Sequence, residues 1–315
     1  MRYLLLLLTF ASVLNAFGQG CSDAGFCTMG AMKPDQTYNK RIDIKLRSLE
    51  INYYRGKSLT SPKIFAATVD FTIGINDLSS FQVKLPYQWS KGNLGRIGGL
   101  GDISLSYTRS LKVTPKWNIN GTLGTKLPSG DGNKTINNEF TDGRDVPMHM
   151  YYQNSLGSFD AIAGISAISS DWLFATGIQV ALTENKNQFD PLDFPNYPSP
   201  EYLDNYDVGK NLKRGVDIMF RAERNWRFVN YNFSLGALPI IRITKDEAIP
   251  AGETERQKLP GTTGMALSVL ASFGYQFDVN NSVKIIQGIK VTDRDFNPDG
   301  LTRDSVLSIS YIYQF

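Results

Sequence analysis

The chain of 315 residues is poor in several features that common protein classes need. After the first residues it has no run of 18 or more apolar residues, which excludes an ordinary transmembrane helix. It contains one histidine and two cysteines, too few for a typical histidine- and cysteine-rich metal site. Only 20% of its residues are charged and the net charge is +3, so composition gives no reason to expect nucleic acid as a partner.

The amino terminus has the three parts of a secretory signal peptide. Met1 and Arg2 supply the charged start, residues 3–13 are mostly apolar, and small residues follow. We predict a signal peptide at residues 1–18, although cleavage as late as residue 20 also fits. An exported protein places Cys21 and Cys27 in an oxidising compartment, where they are candidates for a disulfide. Cys21 is also a candidate for lipidation, and the sequence leaves both alternatives open.

Alternating apolar and polar residues dominate the rest of the chain. The clearest case is the segment 81–89, where Phe81, Leu85 and Trp89 lie on the opposite strand face from Gln82 and Lys84. A period of two is the pattern of a β-strand with one apolar and one polar face. About twelve such segments follow one another, while the mean hydropathy of the whole chain is only −0.23. This combination favours a β-barrel, in which apolar and polar residues cancel in any window.

The last nine residues continue the alternation and end in aromatic side chains. Leu307, Ile309, Tyr311, Tyr313 and Phe315 share one face of a predicted strand. This ending resembles the C-terminal signal of Gram-negative outer-membrane β-barrels, in which Tyr313 and Phe315 would be read by the barrel-assembly machinery. The resemblance implies an all-β, antiparallel, up-and-down barrel in the outer membrane. We predict that residues 42–315 form it, with about 12 strands and with 10 or 14 as alternatives.

The lengths of the connections between predicted strands give an independent indication. Short connections at 76–78, 113–115, 169–171, 224–225 and 278–281 alternate with long ones at 55–63, 90–101, 128–147, 184–211, 243–261 and 293–303. Outer-membrane barrels have short periplasmic turns and long external loops. The sequence therefore predicts that the C-terminus and all short turns lie on the periplasmic side.

If the apolar faces meet lipid, the polar faces must line the lumen, because unsatisfied polar groups in hydrocarbon cost several kcal/mol. Asp217, Arg221 and Glu223 mix both signs on one strand face, which favours mutual pairing over a strong ion filter. The lumen-lining candidates are Asp70, Gln82, Lys84, Asn118, Asn120, Asp217, Arg221, Glu223, Asn230 and Asn232.

Enzymatic and metal functions have weak support in the sequence. His149 is the only candidate general base, and the serine that the pattern of barrel phospholipases requires does not follow it. We therefore expect no enzyme and no cofactor. Asp295, Asn297 and Asp299 alternate before a glycine as calcium ligands do, but no glutamate closes the loop, so a turn is the favoured interpretation over a calcium site.

The glycine-rich segment 92–102 is interpreted as a flexible external loop. Its continuation Gly99-Leu-Gly-Asp-Ile-Ser-Leu-Ser-Tyr107 resembles a strand opening of the phenol-degradation meta-pathway outer-membrane proteins, which are similar to long-chain fatty-acid uptake channels. This second resemblance implies passive uptake of small hydrophobic or aromatic compounds, with residues 19–41 as a candidate periplasmic plug. A long predicted loop at 184–211 carries aromatic residues that are candidates for an external lid or capture surface: Phe189, Phe194, Tyr197, Tyr202 and Tyr206. An ordinary surface loop is the alternative.

The sequence thus supports two hypotheses. The first is an outer-membrane channel for a small solute; the second is a barrel that transports nothing and acts as a structural or adhesion protein through its external loops. Both predict a monomer embedded in outer-membrane lipid, with no nucleic acid as a partner. The identity of the solute is not encoded in any motif.

Overall fold

A computed structural model describes residues 29, 32–33, 45–57, 62–203, 206, 209–250, 253–300 and 303–315. In these residues the alternating segments form long strands that build one closed wall. The wall strands are β1 (Lys45–Lys57), β2 (Lys63–Asn76), β3 (Ser79–Gly92), β4 (Gly95–Leu100), β5 (Ile103–Val113), β6 (Asn118–Leu127), β9 (Asp160–Ile168), β10 (Trp172–Ala181), β11 (Asp217–Arg227), β12 (Tyr231–Arg242), β15 (Gly264–Gln276), β16 (Asn281–Thr292) and β17 (Ser305–Gln314).

Each wall strand pairs antiparallel with its neighbours in sequence, and β1 closes the circle by pairing with β17. β3 faces both β4 and β5, which lie one above the other, so the barrel has twelve wall positions. The predicted up-and-down barrel of twelve strands is confirmed. Two short ladders lie in the loops, β7 (Thr135–Ile136) with β8 (Val146–Pro147) and β13 (Glu247–Ala248) with β14 (Gln257–Lys258). A 3-10 turn at Pro191–Asp193 and one helical turn at Pro200–Leu203 complete the described elements.

The apolar faces point outward and the polar faces point inward. On β17, for example, Ile309 and Tyr311 are exposed while Ser308 and Ser310 are buried. A soluble protein would bury the apolar side chains, whereas a barrel in lipid presents them to hydrocarbon and keeps polar groups inside. The chain is therefore a membrane-spanning β-barrel, and its localisation is the outer membrane.

Among the residues that the structure describes, no helix has the length and apolar character needed to cross a membrane.

The connections sort into two ends of the barrel. The end with the short connections, at residues 77–78, 114–117, 169–171, 228–230 and 277–280, also holds the end of β17 and is called the turn end. The opposite loop end carries the long connections at 58–62, 128–159, 182–216, 243–263 and 293–304. By the rule for outer-membrane barrels, the turn end faces the periplasm and the loop end faces outward.

One predicted loop is wrong. The glycine-rich segment 92–102 does not form a flexible loop, because β3 and β4 continue through most of it and are joined by only Asn93 and Leu94. Gly95 has a φ of +135°, which a residue with a side chain rarely adopts. The glycines thus serve a tight hairpin at the loop end. The chain then bends at Gly101, whose N–H donates to the Pro86 carbonyl at 2.8 Å, before it enters β5.

The turn predicted at Arg224-Asn225 is also wrong. β11 continues to Arg227, with Asn225 buried inside and Trp226 exposed outside, and the turn follows at 228–230. Trp226 therefore belongs to β11, next to its last residue Arg227. The residues 224–227 alternate without glycine or proline, so nothing in them stops the strand. The pairing of β1 with β2 shifts register between Leu46 and Ser48, and Gly157 lies ahead of β9 with a φ of +68°.

The outward face generates a prediction about lipid exposure. Val269 lies in the middle of β15, between Ala237 and Ile289 of its neighbours, and its side chain faces outward. Replacing it with arginine should lower the free energy of unfolding by about 2–4 kcal/mol, because the charge would lie at the bilayer midplane. Unfolding by urea in lipid vesicles measures this change. The same replacement at Val279, in a turn outside the wall, is the control and should change stability little; equal effects at both positions would contradict the membrane placement.

Candidate functional site in the barrel interior

Most predicted lumen residues lie on the inner face of the wall. Asn232 shares this face with Ser234 on β12. Asn230 does not lie there, since it is exposed in the turn between β11 and β12. The strand β11 runs longer than predicted, and this displaces Asn230 from the wall. The predicted residues that point inward are Asp70, Gln82, Lys84, Asn118, Asn120, Asp217, Arg221, Glu223 and Asn232.

Interior polar groups on β2, β3 and β5 form a connected network. The Gln82 amide donates to the Asp70 carboxylate at 2.6 Å and accepts from the Ser106 hydroxyl at 3.1 Å. Lys84 is directly opposite Asp70 in register, and Glu50 is opposite Asp70 on the other side. Buried polar groups are stable when they bond to one another in this way.

Arg221 and Glu223 form an ion pair with each other, as the mixed signs on β11 predicted. Asp217 does not join them, because its carboxylate pairs with Arg242 of the neighbouring strand β12 at 2.7 Å.

Three described residues of the predicted plug segment lie inside the barrel. Met29 and Met32 are buried and belong to one apolar cluster with inward residues of β9, β11, β12 and β15: Ile162, Met219, Leu238 and Leu270. Lys33 forms ion pairs with Glu50 of β1 and with Asp70 of β2, the latter at 3.3 Å. In the circular strand order, β1 and β2 lie across the bore from β9 and β11. These residues therefore contact both sides of the bore.

The wall is shaped to the two methionines by glycine. A Cβ at Gly124 of β6 would lie 2.9 Å from the Met29 methyl group, and a Cβ at Gly164 of β9 would lie 2.6 Å from the Met32 sulfur. Both separations are too short for ordinary contacts, so each glycine leaves room that a side chain would fill. The space that Gly124 and Gly164 leave in the wall thus matches the two methionines in position and in apolar character.

A cavity of about 490 Å³ lies between these residues and the turn end. Turn residues such as Asp77 and Ser169 belong to its lining, so it reaches the periplasmic side of the wall. Its volume is within the range of small-molecule sites, about 300–1,000 Å³. The lining is mixed, and its polar residues include Lys33, Glu50, Asn52, Gln82, Lys84, Asn118, Asn120 and Lys284.

Charged residues fill the interior at the loop end. Arg242, at the end of β12, contacts the carboxylates of Asp217 at 2.7 Å, Asp246 at 2.6 Å and Asp299 at 2.8 Å. Arg294 adds a second guanidinium 3.9 Å from Asp299. Burial raises the pKa of the Asp246 carboxyl, and the charge of Arg242 opposes that effect. This charge cluster ties together β11, β12 and two external loops.

A buried segment of the loop 128–159, residues 148–155, lies at the loop end. Its Tyr152 carbonyl accepts from Ser90 of β3, and its Gln153 carbonyl accepts from Gln88 of the same strand. In addition, the Tyr151 hydroxyl donates to the Asn297 carbonyl of the loop 293–304 at 2.9 Å. The segment is thus bonded to β3 and to the external loop between β16 and β17.

The aromatic residues predicted for the loop 184–211 pack against this segment. Phe189, Phe194 and Tyr206 are buried in one cluster with Tyr151 and Tyr152. Tyr197 and Tyr202 are partly buried against it. They form the interior of a cap on the barrel and not an exposed capture surface, because the loops fold inward and cover one another.

The single histidine belongs to the same cap. The His149 ring is fully buried, lies 4.4 Å from the Tyr151 ring and 4.9 Å from the Phe189 ring, and its Nδ1 accepts from the Tyr151 N–H.

The remaining sequence candidates lie apart from the bore. Asp295 is exposed, Asn297 donates to Asp293, and Asp299 faces Arg242, so the structure does not bring the three calcium candidates together. Tyr313 and Phe315 lie at the turn end, where their rings meet edge to face at 4.8 Å. Residues 1–18, Cys21 and Cys27 lie outside the described residues, as does the rest of the segment 19–41 apart from Met29, Met32 and Lys33.

Sequence reasoning missed Arg242, Asp246 and the contacts of Lys33. Arg242 is the last residue of β12 and has the inward phase, which a strict count along the strand would have found. Asp246 and Lys33 lie in connecting segments without periodicity, so no sequence signal places them.

No protein-family model matches the chain, and no curated protein matches it. Solved structures that resemble it include the NanC porin, 8% identical over 85% of this chain and 98% of that chain with a TM-score of 0.43. The CymD monoaromatic hydrocarbon channel is 12% identical over 96% and 95%, with a TM-score of 0.41. Outer membrane phospholipase A from Escherichia coli is 6% identical over 86% and 94%, with a TM-score of 0.37. At these values the resemblance is limited to the barrel architecture and assigns no function.

The charge cluster predicts a large stability difference between two arginines. Replacing Arg242 with glutamine would leave three buried carboxylates without their main partner, and breaking a buried pair typically costs about 3–5 kcal/mol. The same replacement at Arg224, whose pair with Asp171 is partly exposed, should cost about 0–1 kcal/mol. Urea unfolding in vesicles compares the two variants. Similar losses would show that the cluster at Arg242 does not hold the loop end together.

Proposed function

We propose that the protein is an outer-membrane channel for a small solute, and that its N-terminal segment is a movable plug. The observation that carries this proposal is the composition of the bore. Its centre is occupied by Met29, Met32 and Lys33, residues far in sequence from the wall side chains that they contact. An occupant supplied by a separate segment can leave as a unit, whereas wall side chains cannot.

The wall supports the same proposal. Gly124 and Gly164 keep the centre wide on one side, while Glu50 and Asp70 provide charge on the other. A barrel that needed only a stable core could fill this space with larger side chains from β6 and β9. Small wall residues next to an apolar occupant instead leave a passage when the occupant moves.

For the solute we propose a small molecule with hydrophobic or aromatic character. The methionine cluster includes Ile162, Met219, Leu238 and Leu270 of the wall, which give the centre of the bore an apolar surface when the plug leaves. The cavity at the turn end is large enough for such a molecule. We propose no catalytic role, because His149 is packed among the rings of the cap.

The buried loops at the loop end favour the alternative of a barrel that transports nothing. The segment 148–155 is bonded to β3 and to the external loop 293–304, and a solute that enters from the loop end must pass these loops. Conduction measurements separate the two functions, since the alternative requires no current in any plug variant.

The first test weakens the plug. Replacing Lys33 with glutamine removes its ion pairs with Glu50 and Asp70 and should increase the frequency and duration of open events in planar bilayers. Lys112 is exposed at the turn end of β5, away from the bore, and its replacement by glutamine is the matched control. If both variants remain as closed as the unmodified protein, the pairs of Lys33 do not control the channel.

The second test locks the plug. A Cβ at Gly164 would lie 3.0 Å from the Met32 Cγ, which brings the two Cβ positions near the roughly 3.5–4.5 Å that a disulfide requires. With Cys21 and Cys27 replaced by serine, the pair Met32→Cys and Gly164→Cys should block current and solute uptake when oxidised. Reduction should restore both. Unchanged current in the oxidised form, with the crosslink verified by mass spectrometry, would show that the plug need not move.

A further inference from the structure

Four cations form a row on the outer surface at the loop end. Lys57 of β1 is directly opposite Lys63 of β2, Lys63 is opposite Lys91 of β3, and Lys91 is opposite Arg96 of β4. Directly opposite residues on antiparallel strands point to the same face, and all four side chains are exposed. They form what we call the basic ladder, with one cation on each of four adjacent strands.

The ladder lies on the face that meets lipid. Trp89 is two residues before Lys91 on the same face of β3, and its ring stacks on that of Phe65 at 5.7 Å. The rings of Tyr53 and Tyr87 lie 6.4 and 6.3 Å from Trp89. Aromatic clusters of this kind mark the membrane–water interface. Lys91 lies two residues beyond Trp89 toward the loop end, and Lys63 is opposite it. The basic ladder therefore lies just outside the aromatic cluster, at the height of lipid headgroups.

Such a row is unfavourable without an anionic partner. Neighbouring strands are about 4.8 Å apart, and like charges directly opposite one another destabilise a sheet. Within the described part of the chain, no carboxylate forms an ion pair with any of the four cations. The protein therefore keeps a local concentration of positive charge that its own described residues do not neutralise.

The row is confined to one sector of the barrel. On the other described wall strands, the outward positions nearest the loop end are uncharged, as at Leu127, Ile218, Ile241, Met265 and Val291. Arg55 of β1 lies two residues before Lys57 on the same face, closer to the aromatic cluster. It adds a fifth cation to the same sector. If these cations served only a general attraction to the membrane surface, they would not need to be concentrated in one sector of the barrel.

We propose that the basic ladder binds the phosphorylated headgroup of a lipid in the external leaflet. Clusters of lysine and arginine at a membrane interface attract anionic headgroups, and phosphate accepts hydrogen bonds from several cations at once. The acyl chains of the same lipid would lie along the apolar outer faces of β1–β3, next to Phe65 and Trp89. The site faces lipid and is independent of conduction through the bore.

Native mass spectrometry with diphosphorylated lipid A as the probe tests this site on the full-length protein. The unmodified protein should retain the lipid. The variant Lys57→Gln, Lys63→Gln, Lys91→Gln and Arg96→Gln should bind it at least about tenfold more weakly, given the contribution of each cation at a membrane surface. The matched control removes four cations from the turn end, by Arg109→Gln, Lys112→Gln, Lys116→Gln and Arg224→Gln, and should bind lipid A as the unmodified protein does.

Two further probes distinguish the source of the phosphate and the role of the acyl chains. Lipid A without phosphate groups should bind weakly, and inorganic phosphate alone should displace the lipid poorly. Heat-modifiable migration on gels verifies that each variant forms the barrel. Equal lipid A binding by the ladder variant, equal binding of the dephosphorylated lipid, or inorganic phosphate binding as tightly as lipid A would each overturn the proposal.

Discussion

A bilayer interior offers no hydrogen-bond partner to a peptide group, so each backbone N–H and C=O at that depth must be paired within the protein. The pairing of β1 with β17 meets this requirement by removing the edges of the sheet. Closure also fixes the direction of each side chain, because successive residues along a strand must face lipid and lumen in turn. The outward apolar faces and the inward polar faces are therefore consequences of a single requirement on the backbone.

Closure concentrates polar and charged groups in a small volume, and these groups then need partners. Arg242 has three carboxylates around it, two of them from external loops, and this draws the loops over the mouth. Glu50 and Asp70 receive Lys33 from the N-terminal segment in the same way. Charge inside the wall thus explains why both the loops and the N-terminal residues fold into the barrel.

The sequence predicted the barrel well because its main signals are local. Alternation within a strand and the lengths of connections depend only on neighbouring residues, and twelve wall positions follow from them. The errors at Gly92–Asp102 and at Arg224-Asn225 concern the point where a strand stops, which local composition marks poorly. Glycine at 95 permits a turn, yet glycine is also typical of loops, so the pattern alone does not separate a tight hairpin from a flexible segment.

The interior contacts were beyond local reasoning for a different reason. Lys33 meets Asp70, and Arg242 meets Asp299, only after the wall has closed. Which cation meets which carboxylate depends on strand register and on the paths of connections that carry no periodic signal. The inward phase of Asp70, Gln82 and Lys84 could be predicted, whereas their partners could not.

Strands β1 and β2 carry the residues of the proposed plug contact and of the proposed lipid site on opposite faces. Glu50 and Asp70 point into the bore, whereas Lys57 and Lys63 point outward, and the period of two keeps the two sets apart.

The strength of the contact between Lys33 and the carboxylates of Glu50 and Asp70 depends on whether water can reach it. In a dry interior, separating Lys33 from its carboxylates would cost about 3–5 kcal/mol. A pair that solvent can reach contributes only about 0–1 kcal/mol. The cavity at the turn end is lined by both Lys33 and Glu50, so water that fills it can solvate the charges as they separate. An ion pair at the edge of this cavity therefore suits a plug that must hold its position and still be able to leave.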